Sequence, residues 1–381
     1  MMKTKNIFQL VIIILFILIV ANAKEKQKAK WKGKIEIKNG VKIIKNPKKP
    51  VFSEMPFDLE EELTIGKEEG GEEYMFQEIW HLVVDDEENI YVPDSRAAHI
   101  KVFDKNGKYL RTIGRKGQGP GELGYPFGIQ ITPQKELLVN DRRQARVHFF
   151  TLDGKFLRQF STSRMAGFML PKVDSKGNII AGFIIYGDEI KAEVKKLDSE
   201  LKTILTLATI PTATQPPVIN YFENQRLINL HWDITKDDKI IWGVITKYEF
   251  YVHAPEGKLI KKIVTDYDGI KITKKEKERL TKEMFGDNPV PSRITLEFPK
   301  NLPPFRQFIC DEEGRIFVRT YEKVKDGKGV YYDIFDSEGR YLAKVPFKVI
   351  PRFWKNHKLY ATGEDEEGSP VVKRYNVVWK Y

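Results

Sequence analysis

Cysteine is almost missing from this chain of 381 residues, in which Cys310 is the single example. One cysteine excludes an internal disulfide framework and a zinc site built from several thiolates. It also excludes a bacterial lipoprotein anchor, because no cysteine lies directly after the N-terminal apolar run. Cys310 comes directly after Phe308 and Ile309. We therefore expect it to be a small buried hydrophobic residue rather than a reactive thiol.

Recognisable catalytic patterns are also missing. The sequence contains no HExxH motif, and no Ser-His-Asp arrangement or pair of catalytic carboxylates can be recognised in it. The Gly-rich loop GRKGQGPGE at 114–122 leads into a strand pattern, whereas phosphate-binding loops lead into a helix. We interpret this loop as a connection between repeats. No catalytic residue, cofactor or metal ion is predicted.

The net charge of +11 is confined to the N-terminal end of the chain. Residues 1–23 carry two lysines, residues 24–50 carry eleven lysines against two glutamates, and residues 51–381 are neutral. A protein that binds nucleic acid concentrates basic charge on its folded body. The neutral body therefore argues against nucleic acid as a partner.

Residues 1–23 have the pattern of a secretory signal peptide. Two lysines precede an apolar run from Ile7 to Val20, and Ala-Asn-Ala at 21–23 provides the small residues that signal peptidase accepts. The run is shorter than the ~20 residues that span a bilayer, which favours cleavage. An uncleaved membrane anchor is the alternative. We expect a periplasmic or extracellular protein that contacts a membrane, if at all, through this segment.

A basic tail over residues 24–50 carries a small predicted β-hairpin at 31–46. Its first residues, KEKQKAK, are typical of a solvated tether. Apolar and polar residues then alternate around Asn39-Gly40, which is the strongest short-range signal for a hairpin with a two-residue turn. We expect this hairpin to lie beside the main body, residues 51–381.

The main body repeats a unit of four predicted strands at intervals of roughly 40–47 residues. Segments of period two alternate with polar turns, and helical periodicity is nearly absent. One signal is a turn followed by an apolar strand, as in DEEGRIFV at 311–318. The other is a strand, a turn and a second strand, as in IFDSEGRYLAKV at 334–345. Six such units predict an all-β protein, a six-bladed β-propeller of four-stranded antiparallel blades.

The two ends of the body are expected to meet in the last blade. Residues 57–66, FDLEEELTIG, form an orphan strand before the first complete unit, and the last unit ends one strand short. Pairing the two closes the ring and removes exposed edges. Two insertions break the period, a Pro-rich one at 211–230 and one at 271–305. The second contains a short helix candidate near 273–285, with Thr273 as its N-cap.

The best preserved unit resembles an NHL-type repeat. In VPDSRAAHIKVFDKNGKYLRTIGRKGQGPGELGYPFGI, Asp94 precedes His99-Ile100, and an Asp-x-x-Gly hairpin and the Gly-rich loop follow. Asp141 with Arg146-Val147 repeats the first element, and later units keep the hairpin chemistry alone. Over 50–381 the chain is similar to a family of secreted bacterial six-bladed propellers of the TolB-like superfamily. The resemblance implies the fold, whereas propellers of this fold include binding modules, calcium-dependent lactonases and amidating lyases.

The innermost predicted strands carry few oxygen ligands beyond Glu78 and Asp233. This disfavours a lactonase-like calcium site, since calcium takes six to eight oxygens. Aromatic and polar residues there predict a binding site at the channel mouth instead. Its candidate residues are Trp80, His81, His231, Trp232, Arg306 and Gln307. The two histidines could also approach each other as a metal or acid–base pair, although a histidine among aromatic residues is more often a packed core residue.

A second candidate site is a patch of basic residues in the turns of the first two units, suited to binding an anion. Its members are Arg96, His99, Arg115, Arg142 and Arg146. The neighbouring loop GKEEGGEE at 66–73 is acidic. Mutual charge compensation between the two is the alternative interpretation.

These observations predict an exported, monomeric and non-catalytic binding module. Its ligand is expected to be a protein, peptide or glycan that binds on the loop-rich face of the propeller. The alternative is a hydrolase or lyase, lactonase-like or amidating-lyase-like, that acts at the channel mouth. Three or more oxygen or imidazole side chains that converge on a metal at the axis would favour the enzyme.

Overall fold

The computed structural model describes residues 30–66, 71–165, 167–186, 190–211, 218–220 and 229–380. The predicted signal peptide at 1–23 and most of the Pro-rich insertion at 211–230 lie outside these ranges. Among the described residues, no helix is long and apolar enough to cross a membrane.

The chain begins with a hairpin and a long single strand, and it then forms blades in sequence order. The strands before the first complete blade are β1 (Lys34–Lys38), β2 (Val41–Asn46) and β3 (Phe57–Ile65). Blade 1 contains β4 (Val83–Val84), β5 (Ile90–Asp94), β6 (His99–Phe103) and β7 (Tyr109–Ile113). The Gly-rich loop carries β8 (Arg115–Lys116) and β9 (Glu122–Leu123), which pair in parallel. Blade 2 contains β10 (Pro126–Ile131), β11 (Glu136–Asp141), β12 (Arg146–Thr151) and β13 (Phe156–Ser161).

The next two blades follow the same plan. Blade 3 contains β14 (Met169–Val173), β15 (Ile179–Ile185), β16 (Lys191–Leu197) and β17 (Thr203–Pro211). After β18 (Val218–Asn220), blade 4 contains β19 (Leu230–Ile234), β20 (Ile240–Val244), β21 (Glu249–His253) and β22 (Leu259–Thr265).

The last two blades follow the second insertion, which contains helix α1 (Lys274–Phe285) and β23 (Thr295–Glu297). Blade 5 contains β24 (Gln307–Cys310), β25 (Ile316–Lys323), β26 (Val330–Phe335) and β27 (Tyr341–Phe347). Blade 6 contains β28 (Ile350–Lys355), β29 (Lys358–Glu364), β30 (Pro370–Trp379) and, from the chain start, β3. The six-bladed, four-stranded antiparallel architecture is thereby confirmed.

Strand β3 closes the ring as predicted. It pairs antiparallel with β30 from Phe57↔Trp379 to Ile65↔Val372. Phe57 is fully buried, and its ring centroid lies 4.7 Å from that of Trp379. Both free edges that the chain ends would otherwise expose are therefore paired.

Recurring aspartates explain why the polar turns repeat along the sequence. Asp85 Oδ1 accepts hydrogen bonds from the backbone N–H groups of Glu87 at 2.9 Å and Asn89 at 2.8 Å. Such Asx turns satisfy the backbone of a tight reversal with one short side chain. The same pattern occurs at Asp104, Asp174, Asp198, Asp311 and Asp365.

The N-terminal hairpin is an extension of blade 4. Its turn residues, Asn39 and Gly40, have φ angles of 51° and 77°, which a two-residue turn of this kind requires. Strand β2 pairs in parallel with β22 from Lys42↔Lys261 onward, so this sheet has six strands. The hairpin therefore covers the outer edge of the blade.

The two insertions meet each other. Strand β18 of the first pairs in parallel with β23 of the second. Helix α1 is capped by Thr273, whose side chain accepts the N–H of Glu276, which confirms the predicted short helix. Leu280 is the helix residue that enters the core, where it joins a cluster with Phe250 and Phe305.

Candidate functional site

Two buried aspartates position the loops at the entrance to the first strands of blades 1 and 2. The Asp94 carboxylate accepts the N–H groups of Gln77 at 2.8 Å and Glu78 at 3.2 Å. Asp141 likewise accepts the N–H groups of Gly124 and Tyr125, the latter at 3.1 Å. Both aspartates are at most 1% exposed. The NHL-like motif thus fixes the backbone that precedes β4 and β10.

These loops bring together an aromatic platform, which we define as Trp80, Tyr125 and Phe127. The rings of Trp80 and Phe127 lie 5.6 Å apart, and those of Tyr125 and Phe127 stack at 6.4 Å. Trp80 Nε1 donates a hydrogen bond to the Tyr125 hydroxyl at 3.0 Å. Trp80 is 39% exposed, so an apolar ring surface faces solvent on the loop-rich side.

A polar rim surrounds the platform. The Tyr125 hydroxyl donates to Glu78 Oε2 at 2.7 Å, and Arg96 Nε lies 3.5 Å from the same oxygen. The guanidinium of Arg142 lies over the Phe127 ring at 5.6 Å. Burial and the Glu78 carboxylate raise the pKa of Tyr125, so its hydroxyl keeps its proton at neutral pH. The rim thus offers a carboxylate, a hydroxyl and two guanidinium groups around the exposed ring of Trp80.

His81 lies between the platform and the central channel. Its ring meets Phe127 edge to face at 5.6 Å, and it also lines the channel cavity. Burial lowers the pKa of His81 well below its usual range, and the positive charges of Arg352 and Lys172 lower it further. His81 is therefore neutral at pH 7, with a polar nitrogen near two cations.

The blade 4 candidates have packing contacts instead. Trp232 is 6% exposed and donates from Nε1 to the carbonyl oxygen of Leu170 at 3.1 Å. Its ring lies where a Cβ on Gly182 would stand, 2.2 Å from the nearest ring atom, so that glycine makes room for it. His231 meets the Phe305 ring edge to face at 6.3 Å. These contacts hold blade 4 against its neighbours.

The blade 5 candidates form a third group. The guanidinium of Arg306 lies 4.5 Å from the centre of the Tyr321 ring. Gln307 stands opposite Arg319 in the register of β24 and β25. The six predicted channel-mouth residues are thus distributed over blades 1, 4 and 5. The contacts join Trp80 and His81 to one aromatic platform, and the binding role of all six remains a prediction.

The predicted anion patch divides into two groups and one half-buried histidine. Arg96 and Arg142 border the aromatic platform. Arg115 pairs with Glu122 at 2.9 Å, and Arg146 donates to the carbonyl oxygen of Gln118 at 3.1 Å, so both hold the Gly-rich loop.

His99 stands opposite Asp94 in the register of β5 and β6. Burial lowers its pKa, against the pull of that carboxylate. Anion binding at the patch remains a prediction, and two of its four arginines already face a carboxylate.

The backbone N–H groups of the Gly-rich loop are bound within the loop itself. The Glu122 carboxylate accepts the N–H groups of Gln118 at 3.0 Å and Gly119 at 2.9 Å. These backbone donors are the groups that a phosphate-binding loop would present to its ligand. Here they bind a side chain of the same loop, which then leads into β10.

A cavity of about 860 Å³ occupies the central channel. It reaches the turns that follow the first strands of the blades, at the end of those strands opposite the platform. Charged residues that the sequence analysis did not single out lie on its wall, notably Lys172 and Arg352. A charged residue inside an otherwise apolar innermost strand, as in MLPKV and IPRFW, is the signal that identifies both.

Among the residues that the structure describes, no group of three or more His, Cys, Asp or Glu side chains is arranged to hold a metal ion. Cys310, the single cysteine, lines the cavity. Burial raises the pKa of its thiol well above the usual range, and the nearby Asp233 and Asp311 carboxylates add to this. The thiol is therefore protonated and weakly nucleophilic at neutral pH.

Sequence comparison agrees with the fold. A family model described as a six-bladed β-propeller, DUF5128, matches residues 69–202. This segment holds blades 1 and 2, including both copies of the NHL-like motif, and the first three strands of blade 3. No curated protein matches the chain.

Solved structures include propellers of similar shape. A putative exported protein from Bacteroides fragilis superimposes with a TM-score of 0.58 at 13% identity, over 88% of this chain and 99% of that one. A gluconolactonase from Xanthomonas campestris gives a TM-score of 0.44 at 12% identity, over 79% and 88% of the two chains. A virginiamycin B lyase from Staphylococcus aureus gives 0.44 at 10% identity, over 84% and 99%. At such identities the likeness to the Bacteroides protein shows the fold alone.

Proposed function

We propose that this protein is an exported binding module that takes a glycan on the loop-rich face of the propeller. The observation that carries the proposal is the aromatic platform of Trp80, Tyr125 and Phe127. An exposed indole stands there beside a hydroxyl, a carboxylate and two arginines. Catalysis is not part of the proposal.

The chemistry of the platform favours a glycan over a peptide. A sugar ring presents an apolar C–H face bordered by hydroxyl groups, so it needs one flat apolar surface with donors and acceptors at its edge. The exposed ring of Trp80 supplies the surface, and Glu78 with Arg96 supply the edge. The rigid aromatic side chains lose little conformational entropy when a ligand stacks on them.

Calorimetric titration of the mature protein with a panel of neutral and acidic oligosaccharides tests the proposal. At least one sugar is expected to bind, and Trp80→Ala should weaken it by about tenfold or more, corresponding to ~1.4 kcal/mol. Tyr186→Ala is the matched control, since Tyr186 is an exposed aromatic residue on blade 3, 54% exposed. A panel without any binder, or equal binding by Trp80→Ala and wild type, would falsify the proposal.

Export is supported by the N-terminal sequence. Two lysines, an apolar run and Ala-Asn-Ala at 21–23 match the three parts of a signal peptide. When the complete chain is produced in a bacterial host, intact-mass measurement should find a mature form that begins at Lys24 outside the cytoplasm. Full-length protein in the membrane fraction would instead support the uncleaved anchor.

The alternative function, a hydrolase or lyase at the channel mouth, remains a prediction. Metal analysis of the purified protein decides between the two for the metal-dependent case. A stoichiometric metal ion together with turnover of a lactone or peptide substrate would replace the binding module by the enzyme.

A further inference from the structure

The channel cavity is a second site, separate from the aromatic platform. Its volume of about 860 Å³ lies in the range of small-molecule pockets. It reaches the turns after β4, β10, β14, β19, β24 and β28, whereas the platform lies before β4 and β10. The cavity therefore extends away from the platform along the innermost strands, and His81, which packs against Phe127, lies between the two sites.

Two strong cations and one carboxylate lie on the inner wall of the cavity. Lys172 Nζ pairs with Asp233 Oδ1 at 2.9 Å. Asp233 Oδ2 accepts the N–H of Cys310 at 2.8 Å, and Oδ1 also accepts the N–H of Ile234. The single carboxylate at this depth is thus committed to Lys172 and the backbone.

Arg352 has no such counter-charge. Its Nε donates to Thr362 Oγ1 at 2.9 Å, and within the described part of the chain it forms no ion pair with a carboxylate. Burial lowers the pKa of Arg352 to about 10, and the neighbouring Arg319 adds to this. The guanidinium is therefore a half-buried positive charge whose remaining donors face a cavity.

Several carboxylates of the surrounding turns form ion pairs or hydrogen bonds with residues other than Arg352. Asp174 pairs with Lys196 at 2.8 Å, Asp311 pairs with Arg315 at 2.5 Å, and Asp86 pairs with Lys135 at 2.9 Å and Lys355 at 2.7 Å. Asp85 accepts backbone N–H groups and the hydroxyl of Tyr91 at 3.0 Å. Among the described cations that line the cavity from the innermost strands, Lys172 and Lys355 are paired with carboxylates and Arg352 is not.

Part of the remaining wall is apolar. Ile131, Ile309, Phe353 and Trp354 line the same cavity. A planar guanidinium binds a carboxylate through two parallel hydrogen bonds, and the apolar wall suits an uncharged hydrocarbon body. The many carboxylates of the turns around the cavity would repel a second negative charge on the ligand, which favours a monocarboxylate over a phosphate dianion.

We propose that the cavity binds an organic monocarboxylate whose carboxylate pairs with Arg352 next to His81 and whose apolar body lies against Phe353 and Ile309. The site does not rest on the glycan proposal, since the carboxylate would bind Arg352 inside the cavity and the sugar would stack on Trp80 outside it. Failure of either leaves the other intact.

Titration of the mature protein with naphthoate, its neutral amide naphthamide, and inorganic phosphate tests the site. Naphthoate should bind at least about tenfold more tightly than naphthamide, and phosphate should compete weakly. Arg352→Gln should lose about tenfold or more in naphthoate affinity, and Arg352→Lys should lose less because it keeps the charge. Arg340→Gln, on the outside of blade 5 and paired with Asp336, should bind as wild type does.

A second readout needs no variant. Naphthoate should raise the pKa of His81, measured by NMR titration of the histidine ring protons, because it adds a negative charge beside the ring, and naphthamide should leave it unchanged. Equal binding of naphthoate and naphthamide, stronger binding of phosphate than of naphthoate, or undiminished binding by Arg352→Gln would each overturn the proposal.

Discussion

Single buried side chains decide where the loops of this propeller run. Asp94 and Asp141 are nearly inaccessible, and each holds two backbone N–H groups of the loop before an innermost strand. Because both belong to the NHL-like motif, the sequence already marks these turns. Trp80 is predicted separately, as an aromatic residue of an innermost strand, and its binding role stays a prediction. Lys172 and Arg352 lie in blades without the motif. Each is marked in the sequence as a charged residue within a largely apolar innermost strand. How closely the two approach each other at the axis depends on the packing of the blades, which no local pattern shows.

His81 carries a prediction for pH dependence. Its pKa in the folded protein is well below that of the unfolded chain, because burial and two nearby cations disfavour its charged form. Above pH 6.5 it is neutral in both states and contributes nothing. As the pH falls below 6.5 the unfolded state takes up a proton that the folded state does not. Wild type should therefore lose up to about 1.4 kcal/mol of stability per pH unit relative to His81→Gln.

Urea denaturation of both proteins between pH 7 and pH 5 measures this difference. The other histidines are present in both proteins, so their contributions cancel. A difference in the free energy of unfolding that stays constant over this interval would show that His81 titrates normally.

Among the elements, the N-terminal hairpin illustrates what the sequence pattern can and cannot predict. Asn39-Gly40 and the alternation around it indicated a hairpin, and β1 and β2 are found there. The parallel pairing of β2 with β22 is set by the packing of segments more than 200 residues apart, which no local pattern encodes. Asn46 also attaches the hairpin to blade 5. Its side chain accepts from Trp31 at 2.9 Å and from the N–H of Tyr341 at 2.8 Å, and it donates to the carbonyl oxygen of Gly339 at 2.9 Å.

Asn46→Ala should therefore destabilise the protein. Asn46 is 3% exposed, and its loss leaves buried donors and an acceptor without partners, at a cost of roughly 2–4 kcal/mol. The free energy of unfolding from urea denaturation measures this. Asn106→Ala, in an exposed turn of blade 1, is the matched control and should change stability by less than about 0.5 kcal/mol. Equal stability of Asn46→Ala and wild type would contradict the attachment.

At the scale of the whole molecule, ring closure is the feature that the sequence predicts most completely. The orphan strand at 57–66 and the incomplete last unit predicted the β3–β30 pairing, which the structure confirms. The sequence did not predict how the polar groups are distributed along the channel. It follows from six strands that converge on one axis from six separate parts of the chain, so that Arg352 and His81 become neighbours although 271 residues separate them.

The claim that the loop-rich face is the glycan-binding surface is tested most directly by hydrogen–deuterium exchange, followed by mass spectrometry, with and without the tightest-binding sugar. The account predicts slower exchange in the segments around Trp80 and Tyr125, and unchanged exchange in the turns at 85–89 and 311–314 on the opposite end of the channel. Protection confined to those turns, or no protection at all, would contradict it.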